Sequence, residues 1–215
     1  MYLMVCTRPD IAFAVGKVAQ HCSKPKMAHW SAVKRIMAYL KGTASHGISY
    51  HALGFPDLLL SYSDSVYAGD LQSRRSTSGY LLMFHGGPIT WSSRRQSCVS
   101  LSTIEAEYVA MCEATKEVTW MRRLLSSIGA TQLNPTKLMC GIQGAIKLVS
   151  NAEFHRRTKH IDVKFHYVRE QYQKQIIAVD YVGTKDQLAD ILTKPLGGPV
   201  FQDMRKKIGV AEISV

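Results

Sequence analysis

The sequence predicts one mid-sized α/β domain built on a mixed sheet, with an attached helical piece. Three observations predict it. Three hairpin-like apolar runs follow one another between residues 58 and 98. A long amphipathic helix comes next, opened by a capping signal. Short apolar runs then alternate with helical ones to the end of the chain.

The elements follow in order. Residues 10 to 40 read as two helices, DIAFAVGKVAQHC and HWSAVKRIMAYLKG, separated by Lys24-Pro25. In the second, Trp30, Val33, Met37 and Leu40 recur at helical spacing, and Gly42 reads as its C-cap. GTASHGISYHALGFPD reads as a linker or edge segment. LLLSYSD, GYLLMFH and ITWSSRRQS are strands, with a turn at His85-Gly86-Gly87-Pro88. Ser102 stands three residues before Glu105, a capping-box spacing. Ile104, Tyr108, Met111, Thr115, Val118, Met121 and Leu125 form the apolar stripe of the helix that follows, closed by Gly129. TKLMC and IIAVDYV are the fourth and fifth strands; GAIKLVS, HIDVKFHYVREQYQKQ, DQLADILTK and PVFQDMRKKIG are helices. Trp91 and Trp120 lie in strand and helix patterns and are expected to fill the core.

Charge and cysteine usage narrow the function classes. The net charge of +11 divides as +6 over residues 1–56, +1 over 57–140 and +4 over 141–215. A basic chain with an acid-bearing centre suits a polyanionic partner that must also meet metal ions; it equally suits a solvated basic surface. Five scattered cysteines with no CxxC pair give neither a zinc site nor a disulfide frame. No apolar run is long enough to span a membrane, and the first residues do not form a signal peptide. Gly-rich phosphate loops and a GxSxG elbow are absent.

Three acids stand near element ends. Asp64 closes the first sheet strand, Glu107 lies in the first turn of the long helix, and Asp186 opens the helix after the fifth strand. Carboxylates brought from separate elements to one sheet end are what a pair of Mg²⁺ ions requires for phosphodiester cleavage. The same residue types also serve as turn and helix caps.

YSDSVYAGD, RRSTSGY, GGPITWSSRRQ, LSTIEAEYVA, RTKHID and DQLADILTKPL resemble, in order and spacing, the ribonuclease H domain of copia-type LTR-retrotransposon polyproteins. TRPDIAFAVGKVAQ and HWSAVKRIMAYLKGT resemble the end of the adjoining reverse transcriptase region. The resemblance implies a ribonuclease H-like fold with a five-stranded mixed sheet, flanked by helices and preceded by a short helical segment. Residues 1–55 would then be the end of the reverse transcriptase region, 56–196 the ribonuclease H-like domain, and 197–215 a C-terminal helix and tail. It implies Mg²⁺-dependent hydrolysis of the RNA strand of an RNA/DNA hybrid, with the reverse transcriptase part of the same polyprotein as partner. A soluble location follows, cytoplasmic (in a virus-like particle) or nuclear, not secreted. The family's acids carry over as Asp64, Glu107 and Asp186, as metal ligands and catalytic residues.

The fourth family acid belongs to a motif usually written CDNQSA, and this chain reads CGIQGA. Gly141 stands where the acid is expected, Ile142 for Asn and Gly144 for Ser. Val66 replaces the second acid of SDAD, and Ile104 replaces a Thr. These losses predict an inactive or severely impaired site, with a non-catalytic nucleic-acid-binding remnant or a host-recruited fragment as the alternative reading. Asp190, one turn beyond Asp186, is expected to point along its helix rather than toward the gap. Arg74, Arg75, Arg157, Lys159 and His160 are candidates for nucleic-acid contact, the basic ones to phosphates. His160 stands in the same basic surface, placed for packing or hydrogen bonding rather than for proton transfer.

Overall fold

The computed structural model describes residues 1–51, 58–150 and 162–213. Arg157, Lys159 and His160 lie outside the described residues. Helices α1 (Tyr2–Cys6), α2 (Ala12–Ala19) and α3 (Met27–Gly42) lead into a short strand, β1 (His46–Ile48). The main sheet takes β2 (Leu60–Val66), β3 (Thr77–Phe84), β4 (Gly87–Arg95), β5 (Thr136–Cys140) and β6 (Ile177–Tyr181). Its order is β4-β3-β2-β5-β6. The β2–β3 and β3–β4 pairs are antiparallel; β2–β5 and β5–β6 are parallel. Helix α4 (Thr103–Ser127) makes the crossover from the β4 edge to β5, as a parallel pairing requires. Helices α5 (Gln143–Ser150), α6 (Asp162–Gln173) and α7 (Gly198–Lys207) and strand β7 (Val210–Glu212) complete the chain.

Side-chain alternation along β2 and β3 separates two cores. On one face Leu59, Leu82, Tyr108, Met111, Val118, Leu138, Val149, Phe165 and Val168 pack α4, α5 and α6 on the sheet. The stripe expected of α4 is buried from Tyr108 to Leu125, with Ile104 at its exposed edge. Ser102 caps this helix, its hydroxyl accepting from the Glu105 amide at 3.1 Å. On the other face Ala12, Leu81, Met83, Leu188, Ile191, Leu192, Met204, Ile208 and Val210 form a second core. The residues before β2 and after position 196 are thus bound to the sheet through shared packing, and β1 pairs antiparallel with β7. A buried Arg8–Asp10 pair reinforces the join: the guanidinium donates to both carboxylate oxygens at 3.0 and 2.8 Å, and Tyr39, itself bonded by Arg205, donates to Asp10 at 2.6 Å.

Several expectations need correcting. The β3–β4 turn is two residues, His85 (φ 50°) and Gly86 (φ 76°), both left-handed as a tight hairpin demands, so Gly87 and Pro88 already belong to β4. The segment read as a linker contains β1. DQLADILTK forms no α-helix: one 3₁₀ turn, Thr184–Asp186, ends at its first residue, and a second, Leu188–Leu192, lies within it. Trp30 and Met37 are exposed, because α3 lies at the edge of the fold with no buried residue. Trp120 is 55% exposed and lines a groove between α4 and α6 with Lys116, Arg123 and Lys174. Trp91 is half-buried against the second core, its indole donating to the Met4 carbonyl at 2.7 Å.

Candidate active site

Asp64 lies near the carboxyl end of β2, buried on the face that carries the second core. Glu107 comes from α4 on the opposite face and reaches the strand end, where its Oε1 accepts from the Ser65 amide at 3.0 Å. Burial first, then the charge of Asp64, pushes the Glu107 carboxyl up to about 8. Cys140, at the end of β5, places its thiol 3.9 Å from Glu107 Oε2, and burial followed by Glu107 pushes that thiol up to about 12. The last β2–β5 register pair is Ser63 with Cys140, so the next position on each strand is Asp64 and Gly141. Gly141 therefore stands beside Asp64, as its motif position implies.

Asp186 does not join them. Its side chain is 73% exposed and pairs with Lys207 at 3.2 Å. Its charge falls on Tyr62, whose hydroxyl is raised first by burial and then by Asp186. Asp190, expected to point along its helix, instead takes the place expected of Asp186. The reason is local. Gln187 (φ −77°, ψ 90°) is extended and breaks the helix between the two acids. Its buried amide donates to the Ser63 carbonyl at 2.9 Å and its Oε1 accepts from the Ala189 amide at 3.3 Å, turning Leu188–Leu192 inward. All five residues of that turn are buried. Burial raises the Asp190 carboxyl to about 6; Lys194 opposes the rise and Asp64 adds to it.

Gly79 makes this approach possible. It pairs with Asp64 across the sheet, and a Cβ there would lie 2.7 Å from Thr193 Cγ2 and 2.9 Å from Leu192 Cβ. The bare backbone lets the 3₁₀ turn rest on β3, and Thr193 Oγ1 then donates to Asp64 Oδ2. Lys194 follows, with its ammonium 2.8 Å from Asp190 Oδ1 and 3.6 Å from Asp64 Oδ2. Burial lowers the Lys194 pKa, but the two carboxylates outweigh it and hold the ammonium charged. Asp190, Thr193, Lys194, Gln187 and Gly79 were not singled out in the sequence for these roles. Their signal was present in the spacing of RRSTSGY and DQLADILTK.

Among the described residues, no three His, Cys, Asp or Glu side chains are close enough to hold a metal ion as they stand; Lys194 lies between Asp64 and Asp190 instead. The donor chemistry still fits a hard divalent cation. Asp64, Glu107 and Asp190 are oxygen donors, all buried, and one ammonium leaves their negative charge in excess. Among the described residues Gly141 has room for a side chain, since a Cβ there would meet only Gln187 Nε2, at 3.7 Å.

A basic groove of about 330 Å³ opens at the same sheet end, lined in part by Lys17 of α2 and Gln20 just beyond it with Arg75, Arg94 and Arg95. The register rows Ser65–Ser78–Arg94 and Val66–Thr77–Arg95 lie directly beyond Asp64. Arg95 is tied to Asp70 at 2.5 Å. Arg74 is exposed, in the left-handed conformation (φ 54°) in the turn before β3.

The chain is 42% identical over 210 residues to the retrovirus-related Pol polyprotein of transposon TNT 1-94 from Nicotiana tabacum, covering 98% of this chain and 16% of that protein. It is 41% identical over 207 residues to the Pol polyprotein of transposon RE2 from Arabidopsis thaliana, covering 96% and 14%. The chain belongs to the retrovirus-related Pol polyproteins of copia-type transposons. It spans about one sixth of the length of these relatives. A shorter relative, secreted RxLR effector protein 161 of Plasmopara viticola, is 49% identical over 121 residues, or 56% of this chain and 84% of that protein. Among solved structures, LC11-RNase H1, isolated from compost by a metagenomic approach, superposes with a TM-score of 0.50 at 13% identity, covering 64% of this chain and 94% of that one. The domain of this copia-type polyprotein is therefore ribonuclease H-like in fold, as its motifs imply. No protein-family model matches the chain. No helix among the described residues is long and apolar enough to cross a membrane.

Proposed function

We propose that this domain binds RNA/DNA hybrid and hydrolyses its RNA strand with Mg²⁺, and that Gly141 severely impairs the reaction. The observation that carries this reading is the meeting of Asp64, Glu107 and Asp190, from three elements, at one sheet end beside Gly141. Asp190 replaces Asp186 in the ligand set. Divalent ions, when bound, supply activation of water and charge stabilisation at the leaving oxygen. The protein's own residues do the rest. Asp64 is fixed by the Thr193 hydroxyl, and Glu107 by the Ser65 amide. Lys17, Arg75 and Arg94 offer cations for phosphates alongside, with Arg74 at the rim. Of the remaining candidates, Arg157, Lys159 and His160 extend the same proposal without a described position. In this reading the reverse transcriptase part of the polyprotein delivers the hybrid.

With one acid missing, the cost to transition-state stabilisation is several kcal/mol, or roughly a thousandfold in rate. The experiment is hybrid cleavage by the purified chain with Mg²⁺ and with Mn²⁺, alongside Gly141→Asp and Asp64→Asn. Cleavage should be weak or absent as the chain stands, restored by Gly141→Asp, and abolished again by adding Asp64→Asn. Equal rates with and without the repair would show that Gly141 is tolerated. No cleavage in the repaired chain would count against the ribonuclease reading.

A further inference from the structure

Lys194 occupies an unusual position for a lysine. Its ammonium stands between the strand acid Asp64 and the turn acid Asp190, the two carboxylates that a bridging cation would join. It is built in rather than draped over the site. The Lys194 amide donates to the Asp190 carbonyl at 3.2 Å, and its neighbour Thr193 bonds Asp64. The side chain is 33% exposed, so the pairing is only partly screened by water.

Charge counting then sets the capacity of the site. With the Glu107 proton displaced by a bound cation, Asp64, Glu107 and Asp190 bring three negative charges, and Lys194 cancels one. The remaining two match one divalent ion. A second ion would find no carboxylate at position 141, where a Cβ alone has open space, and would face a fixed ammonium. We propose that this site holds a single divalent cation, with Lys194 serving as the second, covalently tethered cation. The proposal rests on the metal-site reading above and makes Lys194 a positioning residue for it.

The test is Mn²⁺ binding to the full chain, followed by calorimetry and by the spin-resonance signal of free Mn²⁺. It compares the chain as it stands with Lys194→Gln, Lys194→Arg, Gly141→Asp and the double variant Gly141→Asp/Lys194→Gln, each checked for folding by circular dichroism. The unaltered chain should bind one ion. Lys194→Gln should bind it at least about tenfold more tightly, because a unit charge a few ångströms from a cation outweighs that factor at protein-like dielectric. Lys194→Arg should stay close to the unaltered chain, and the double variant should bind two ions. Two ions in the unaltered chain, or unchanged affinity in Lys194→Gln, would overturn the role of Lys194 while leaving the metal site standing. If none of the five proteins binds Mn²⁺, the metal-site reading falls and this inference with it.

Discussion

Gly79→Ala probes how the site is assembled without touching an acid. The new methyl would sit 2.7 Å from Thr193 Cγ2, 2.9 Å from Leu192 Cβ and 3.4 Å from the Ala189 carbonyl. Ordinary carbon contacts are about 3.5–4.0 Å, so the 3₁₀ turn must retreat by roughly 1 Å. Both crowded atoms sit at or next to the backbone of a buried turn, so no flexible side-chain tip can swing away to make room. Overpacking of this kind costs about 1–3 kcal/mol. The retreat also breaks the hydrogen bond from Thr193 to Asp64, worth roughly another 1.5–3 kcal/mol where the acceptor is charged. Urea unfolding at neutral pH should therefore show a loss of roughly 2.5–6 kcal/mol with unchanged slope. Thr193→Ser removes the closer atom and keeps the hydroxyl, so Gly79→Ala should cost less in that background. A loss under about 0.5 kcal/mol, the range of neutral surface changes, would refute the close-packing argument.

The Glu107 carboxyl lies well above its usual 4.5, at about 8, so the folded state holds that proton more tightly than the unfolded chain. Its contribution is full below about 4.5 and is lost as pH rises through 8; melting followed in chelator should show that decline, and Glu107→Gln should flatten it. Asp10→Asn leaves the buried Arg8 guanidinium uncompensated and should cost about 3–5 kcal/mol by denaturant titration. Glu170→Gln, which breaks an exposed pair with Lys174, should cost less than about 1 kcal/mol in the same assay. Hybrid affinity should fall steeply with salt, and Arg75→Ala and Arg94→Ala should each lower the slope by about one; an affinity flat in salt would rule out the basic groove as a hybrid contact.

The long central helix and the sheet strands were legible because each presents one face to a large core over several periods. Tyr108 to Leu125 keep one spacing for five turns, and the structure buries that stripe. Strands β1 and β7 were not legible, since three residues cannot show alternation. Trp30 and Met37 matched a helical period, but a period says only that residues share a face. It does not say that the face is covered. The acids of DQLADILTK show a sharper limit. Asp186 and Asp190 are four apart and would share one face of an α-helix. The extended backbone of Gln187 between them sends one to solvent beside Lys207 and the other to Asp64. Periodicity could not foresee this, because the break is imposed by a tertiary hydrogen bond from Gln187 to the Ser63 carbonyl.

The departures from the family motif are not independent in space. A Cβ at Gly144 would lie 2.9 Å from Ile104 Cδ1 and 3.3 Å from its Cγ1. The isoleucine that stands for threonine thus occupies the space left by the glycine that stands for serine. Restoring Gly144→Ser alone should force Ile104 to turn, with a modest loss of stability; restoring Ile104→Thr alone should leave a gap of about one to two methyl groups, costing on the order of 1 kcal/mol. The two together should cost less than their sum, and a double-mutant cycle by urea unfolding measures the difference. Strict additivity would mean that the contact carries no coupling. Gly141 differs from this pair, because its only near neighbour among the described residues is the Gln187 amide at 3.7 Å. The acid can therefore be restored there alone, and any gain in hybrid cleavage on Gly141→Asp can be assigned to the carboxylate rather than to repacking around it.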